Sequence, residues 1–172
     1  MTLSLWNIST PLGDMMAVEE HQKLIMLDFI QKPDAHVNVL AILNHKDVRQ
    51  EKTSLFKKLE NDLALYFEGH LFIFDLPLNP HGTPFQKRAW DILCDIPYGE
   101  TRSYGEQAMM VGSSKAARAV GSANGKNPIS IIIPCHRVVG AKGSLGGYNS
   151  GLDRKKWLLA LEKSHLPHFV TK

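Results

Sequence analysis

Residues 127–137 read Asn-Pro-Ile-Ser-Ile-Ile-Ile-Pro-Cys-His-Arg, and this stretch constrains the fold more than any other. Four isoleucines within five residues must leave water, and a proline on either side keeps the run from joining a longer helix or strand. So short a run of β-branched side chains reads as a buried strand whose end delivers Cys135. The chain must therefore build a core around the run, with one edge where the cysteine emerges. With 172 residues, 44% of them hydrophobic and 22% charged, it has the material for one ordinary domain or two small ones.

The first half reads as mixed strand and helix. Alternating stretches over 3–8, 15–18 and 24–30, separated by the Pro11-Leu12-Gly13-Asp14 turn and a polar tip at 19–23, predict a small antiparallel sheet. Helical spacing follows over 36–46 and 53–68, with Gly69 placed to stop the second helix, and 71–78 reads as another strand. The Pro- and Gly-containing stretch 77–84 marks a junction, giving domains 1–80 and 81–172.

Helix starts are explicit in the second half. Thr83-Pro84-Phe85-Gln86 offers an N-cap, a first-turn proline and a capping-box glutamine, so a helix runs from 84 to about 95. Ser103-Tyr104-Gly105-Glu106 repeats the signal for a short helix through Met110, closed by Gly112. Ser113 or Ser114 then caps a helix over 115–124, and 152–164 forms a last amphipathic helix. In that last helix Leu152, Leu158, Leu159 and Leu161 face inward and Asp153, Arg154 and Lys155 outward. The fold class is α/β in the α+β sense: sheet and helices first, then a mainly helical half with a short strand ending at Cys135.

Charge separates the halves. Residues 1–81 carry 7 Lys+Arg against 11 Asp+Glu, and residues 82–172 carry 13 against 6, so the second half is the one fitted to a polyanion. The two short helices joined by Val111-Gly112-Ser113-Ser114 have the dimensions of a helix-turn-helix, with Lys115 and Arg118 where DNA would be met, although any two-helix corner also looks like this. No stretch approaches 18 apolar residues and the N-terminus has no signal-peptide pattern, which places the protein in the cytoplasm, away from membranes.

Cys94 and Cys135 are the only cysteines, too few for a disulfide framework or a four-cysteine metal site. Cys94 shares a helix face with Ala89, Ile92 and Leu93 and reads as a small core residue. Cys135 stands beside positive charge and a possible base, conditions that favour a thiolate. Neighbouring side chains in extended chain diverge, so His136 would act on the sulfur through a bridging water, and a carboxylate such as Glu162 would then fix the ring's tautomer. A Cys/His pair alone also fits zinc sites and cysteine peptidases; ligand spacing disfavours the first, and the second leaves the basic half unexplained.

Ile133-Pro134-Cys135-His136-Arg137-Val138-Val139, together with Gly82-Thr83-Pro84-Phe85-Gln86, Ile96-Pro97-Tyr98-Gly99, Ser103-Tyr104, Arg118-Ala119-Val120-Gly121, Asn127-Pro128 and Gly147-Tyr148, resembles the O6-alkylguanine-DNA alkyltransferase family. The likeness covers about half the chain, from Thr83 to Glu162. It implies a ribonuclease H-like N-terminal domain and a single-use reaction in which Cys135 accepts an alkyl group from O6-alkylguanine, or O4-alkylthymine, in double-stranded DNA. His136 would work through water, Glu162 would polarise it, and Asn127 would brace the turn holding Cys135. Arg118 would fill the gap left by an extruded base while Tyr104 pushes the adjacent phosphate and helps the guanine leave protonated. Ala116, Ala117 and Ala119 would permit close approach to the minor groove, with Lys115 beside them. Tyr148 and the loop 145–150, including Asn149 and Ser150, would wall the pocket; Cys135 and Val138 would offer carbonyls to the guanine edge, and Asn124 would bear on adduct preference. No cofactor, metal or obligate protein partner is implied, and a monomer is expected. From the residues alone, Tyr104 and Tyr148 read as half-buried core aromatics, Glu162 as a solvated helix residue and the alanines as helix formers. A recognition module that binds alkylated bases without transfer, and a sequence-specific regulator, are the alternatives.

Overall fold

The computed structural model describes residues 2–31 and 47–167; the helix expected over 36–46 lies outside them. Strands β1 (Thr2–Ile8), β2 (Met15–Glu20) and β3 (Lys23–Phe29) form an antiparallel meander, as their alternation predicts. A fourth strand, β4 (Asp47–Gln50), joins parallel to β1, so the sheet order is β3-β2-β1-β4. Its Asp-Val-Arg-Gln sequence has no apolar run: the strand is a mostly exposed edge that packs Val48 alone against Leu3, Val18, Ile25 and Met26. Helix α1 (Ser54–Phe67) follows, capped by Thr53, whose hydroxyl accepts from the Phe56 amide.

Residues 71–78 do not form the expected strand. Among the described residues their only sheet-like contact is Leu24–Leu78, with Leu24 N donating to Pro77 O and Asn79 N to Leu24 O, both at 2.8 Å. The aromatic pattern that suggested a strand serves packing instead: Phe72 stands edge-on to Tyr98 at 4.9 Å and Phe74 lies against Tyr66 at 5.4 Å.

In the second half, α2 (Pro84–Cys94) and α3 (Tyr104–Val111) start at complete capping boxes, Thr83 with Gln86 and Ser103 with Glu106. Ser103→Ala is therefore expected to cost about 1 kcal/mol in urea unfolding. A loss below about 0.3 kcal/mol would show that the box does not anchor α3. Gly112 ends α3 in the left-handed conformation, with φ +98°. Helix α4 (Ala117–Gly125) begins later than expected, because Ser113 to Ala116 closes a turn through Ala116 N→Ser113 O and Ala116 caps without a side-chain bond. Lys115 thus sits in the turn. Strands β5 (Arg102–Ser103) and β6 (Val138–Val139) make a two-residue parallel pair, and α5 (Leu152–Ser164) is the last described element.

The isoleucine run is buried but is not a strand. Only Ile129 pairs, bridging Leu27 of β3; beyond it the chain turns, with Ile131 at φ +73° and Ile132 N bonded to Ser130 O. Asn127 causes the turn. Its side chain accepts from Ile129 N at 3.0 Å and donates to Ile133 O at 2.8 Å, satisfying in a coil the backbone groups a ladder would have used.

One core joins the halves. Met15, Leu27, Phe29, Phe56, Leu59, Leu63 and Tyr66 pack in the same cluster as Trp90, Leu93, Ile129, Ile133, Leu158 and Leu161. Arg154, expected outward, spans the seam by donating to Leu12 O at 3.0 Å and stacking over Phe29 at 4.2 Å. Leu152, expected inward, is 48% exposed.

Candidate active site

Cys135 opens a 3-10 turn (Cys135–Arg137) that immediately follows the Asn127-braced loop. Asn127 reaches further, its Nδ2 donating to Cys135 Sγ at 3.2 Å. The sulfur thus meets an N–H donor where negative charge would develop. The residue is only 9% exposed, and that exposure opens into a cleft of about 490 Å³, within the size range of small-ligand sites. Cys94, expected in the core, faces outward. Partial desolvation, with Asp91 and Asp95 beside it, pushes its thiol up to about 11, so the exposed cysteine is the inert one.

His136 is completely buried behind Cys135. Its Nε2 lies 2.7 Å from Glu162 Oε1 on α5, the pairing that the family resemblance implies. Desolvation lowers the imidazole's proton affinity and outweighs the attraction of Glu162, leaving it neutral near pH 7. Burial pulls the Glu162 carboxyl up, but the hydrogen bonds from His136 and Arg137 and the Arg137 charge hold it well below the usual carboxylate range. An ionised Glu162 can only accept, so the imidazole proton sits on Nε2 and the Nδ1 lone pair is the basic one. That Nδ1 is buried and has no hydrogen-bond partner among the described residues.

Arg137 holds Glu162 through Nε at 2.9 Å and Nη2 at 3.0 Å, and donates Nη1 to Ile96 O at 2.6 Å. Gly99 N adds a bond to Oε2 at 3.2 Å, and Tyr66, from α1 in the first half, donates its hydroxyl to Oε1 at 2.7 Å. The sequence reading gave neither Arg137 nor Tyr66 a part in this cluster. Lys155, expected outward, instead points inward, fully buried, donating to Val138 O at 2.5 Å and Gly147 O at 3.0 Å. Desolvation lowers its ammonium to about 8, against the opposing pull of charge at Cys135. A signal existed: Lys155, Leu158 and Glu162 lie three and seven residues apart, on one helix face.

The cleft above Cys135 has two walls. One is the loop 140–151, giving Gly147, Tyr148 and Asn149; the other is α4, giving Gly121, Ser122 and Gly125, with Lys126 beyond its end. Tyr104, at the start of α3, closes the corner with its hydroxyl 3.4 Å from Gly147 O. Gly146 makes that corner possible. Its φ is +69°, and a Cβ there would come within 2.8 Å of the Tyr104 ring. Arg118 and Lys115 are exposed, and Arg118 lies three and four residues before Gly121 and Ser122, on the α4 face that borders the cleft; Ala117 is half-buried.

Three expected substrate-binding residues are otherwise engaged. Asn124 lines the cleft, but its amide exchanges two bonds with Gln107, at 2.7 and 3.0 Å, locking α3 to α4. Ser150 turns away and is buried 3.4 Å from Asp28 of β3 rather than walling the pocket. Asn149 ties the loop to α4 through Gly125 O at 2.7 Å. The carbonyls of Cys135 and Val138 already accept from Val138 N and Lys155 Nζ, each keeping one lone pair.

A cysteine thiol held against an amide donor, opening on a cleft bordered by a short turn-linked helix pair with exposed Lys115 and Arg118, is a layout suited to group transfer from nucleic acid to cysteine. Comparison with known proteins agrees. Residues 84–164 match the family described as 6-O-methylguanine DNA methyltransferase, DNA binding domain, and residues 7–80 match its ribonuclease-like domain. A methylated-DNA–protein-cysteine methyltransferase of Methanosarcina barkeri is 46% identical over 160 residues, 92% of this chain and 96% of the relative. The crystal structure of Mycobacterium tuberculosis O6-methylguanine methyltransferase superimposes with a TM-score of 0.84 at 42% identity, covering 98% of this chain and 97% of that one. The structure titled as the same organism's protein in complex with DNA gives 0.83 at 42% identity, covering 96% of each chain. The chain belongs to the methylated-DNA–protein-cysteine methyltransferase family.

Proposed function

We propose that this protein repairs DNA by direct reversal, moving the alkyl group of O6-alkylguanine irreversibly onto Cys135. The observation that carries the reading is Cys135 at the floor of an open cleft large enough to admit a base, backed by a neutral, carboxylate-ordered His136. In the proposed step the thiol proton passes through a water to His136 Nδ1, whose Nε2–H stays on Glu162. The sulfur attacks the alkyl carbon, an S–C bond forms and the C–O6 bond breaks. The electron pair leaves with guanine, which takes a proton from the Tyr104 hydroxyl. The thioether has no base to expel it, so each molecule acts once.

Attack requires the base outside the stack. Arg118 on the cleft side of α4 is suited to occupy the gap, with Tyr104 against the rotated phosphate and Tyr148 against the base. Asn127 braces the turn under Cys135. Lys115 adds a phosphate contact, and half-buried Ala117 lets the helix approach the minor groove. O4-alkylthymine is a second substrate. We place the division between the halves at 80/81, supported by the two family spans, and propose a monomer acting in the cytoplasm. No helix among the described residues is long and apolar enough to cross a membrane.

Loss of O6-methylguanine from a labelled duplex, followed by chromatography of the hydrolysed DNA, tests the reaction. Equimolar loss without strand cleavage supports it; binding that leaves the modified base intact would favour the recognition-only alternative. Arg118→Ala is expected to slow repair of duplex DNA by about tenfold to a hundredfold while leaving reaction with the free modified base unchanged. Equal loss on both substrates would remove Arg118 from the flipping step. Binding should be salt-sensitive and similar across unrelated duplexes, which separates this reading from a sequence-specific regulator.

A further inference from the structure

The described residues of the sheet half supply one polar side chain to the Glu162 cluster, and the alkyl-transfer reading gives it no task. Tyr66 is 1% exposed, and its hydroxyl shares Glu162 Oε1 with His136 Nε2 and Arg137 Nη2. Packing alone does not call for the hydroxyl: the Tyr66 ring already contacts Phe67, Phe74 and Tyr98, contacts a phenylalanine would keep. Glu162 is also already neutralised by Arg137 without it.

We propose that Tyr66 is a positioning residue for the relay, fixing Glu162 Oε1 against His136 and setting how strongly that carboxylate draws a proton onto the imidazole. The proposal rests on the alkyl-transfer reading for its chemistry and assigns the N-terminal half a part in the reaction itself. Its physical basis is competition for one oxygen. Each donor on Oε1 withdraws negative charge from the His136 bond, so removing the Tyr66 donor leaves more for the imidazolium and raises His136 basicity. The phenol stays protonated, because burial and then Glu162's charge push it far above its ordinary range. The other charged or titratable groups facing the pair are Arg137 beside it, Lys155 from the same helix as Glu162, and Tyr98 from the segment after α2.

The test compares wild type, Tyr66→Phe and a protein carrying 3,5-difluorotyrosine at position 66. The fluorinated ring keeps the shape and is a stronger donor, so its fold is not in question. The readouts are the NMR titration of His136 and the pH dependence of single-turnover transfer. The expected result is opposed displacement: the His136 titration and the acid limb of the rate profile move up by about half a pH unit in Tyr66→Phe and down in the fluorinated protein. Coincident titrations in all three proteins, with at most a lower unfolding midpoint for Tyr66→Phe, would overturn the proposal and leave Tyr66 a packing residue. Alkylation of wild-type Cys135 reports separately on the transfer reading, and the His136 titration is measurable whether or not transfer occurs.

Discussion

Arg137→Leu is expected to destabilise the protein by about 3–5 kcal/mol at pH 8, because it leaves a buried carboxylate without its main counter-charge. Arg137 makes two bonds to Glu162 and one to Ile96 O, all within the core, and Glu162 is fully buried. The remaining donors, Tyr66, Gly99 and His136, are neutral at that pH and cannot replace the charge. Arg137 also lowers His136's proton affinity, so in the variant His136 takes up a proton on acidification and restores part of the balance. The loss should therefore shrink between pH 8 and pH 6. Urea unfolding at both values checks it; a loss below about 1 kcal/mol at pH 8 would mean that Glu162 is not held as a buried anion.

His136→Phe is expected to lower the transfer rate at pH 7 by about 10²–10⁴, the usual contribution of a positioned base, with little change in DNA affinity. The base is neutral, its proton is fixed on Nε2 by Glu162, and its lone pair lies on the unpartnered Nδ1. Stopped-flow transfer with a fluorescent duplex measures the effect. A loss under about fivefold would remove the relay. The same pair sets a pH dependence of stability. Both folded-state affinities are lowered, so the unfolded chain binds more protons on acidification. The His136 contribution is complete above its ordinary value of 6.5 and lost as pH falls through its lower folded value; that of Glu162 begins to go only below its ordinary 4.5.

Much of this site was legible because its residues announce themselves locally. Capping boxes at Thr83 and Ser103 fix where α2 and α3 begin, and Cys135, His136 and Asn127 lie within a few residues of one another. Glu162 needed the resemblance: its spacing from Leu158 puts it on the inward face of α5, but nothing local names the partner it meets there. What stayed hidden depends on partners distant in sequence. The 129–133 run has a strand's composition, but Asn127 offers its backbone a nearer set of bonds, and local satisfaction won over propensity. Lys155 is inward because the carbonyls of Val138 and Gly147 receive it, and Asn124 serves α3 because Gln107 faces it. Tyr66 reads as an ordinary member of an apolar helix face; only the tertiary fold reveals what its hydroxyl meets.

The central claim is that Cys135 accepts the alkyl group once and keeps it. The most direct measurement is the intact mass of the protein after reaction with excess duplex bearing one O6-methylguanine, with undamaged duplex and Cys135→Ala as controls, followed by peptide mapping. The account predicts one added methyl per molecule, on the peptide holding Cys135 and not on Cys94, with no further turnover and no addition in either control. An unchanged mass alongside preferential binding of the damaged duplex, or a methyl found at Cys94, would contradict it.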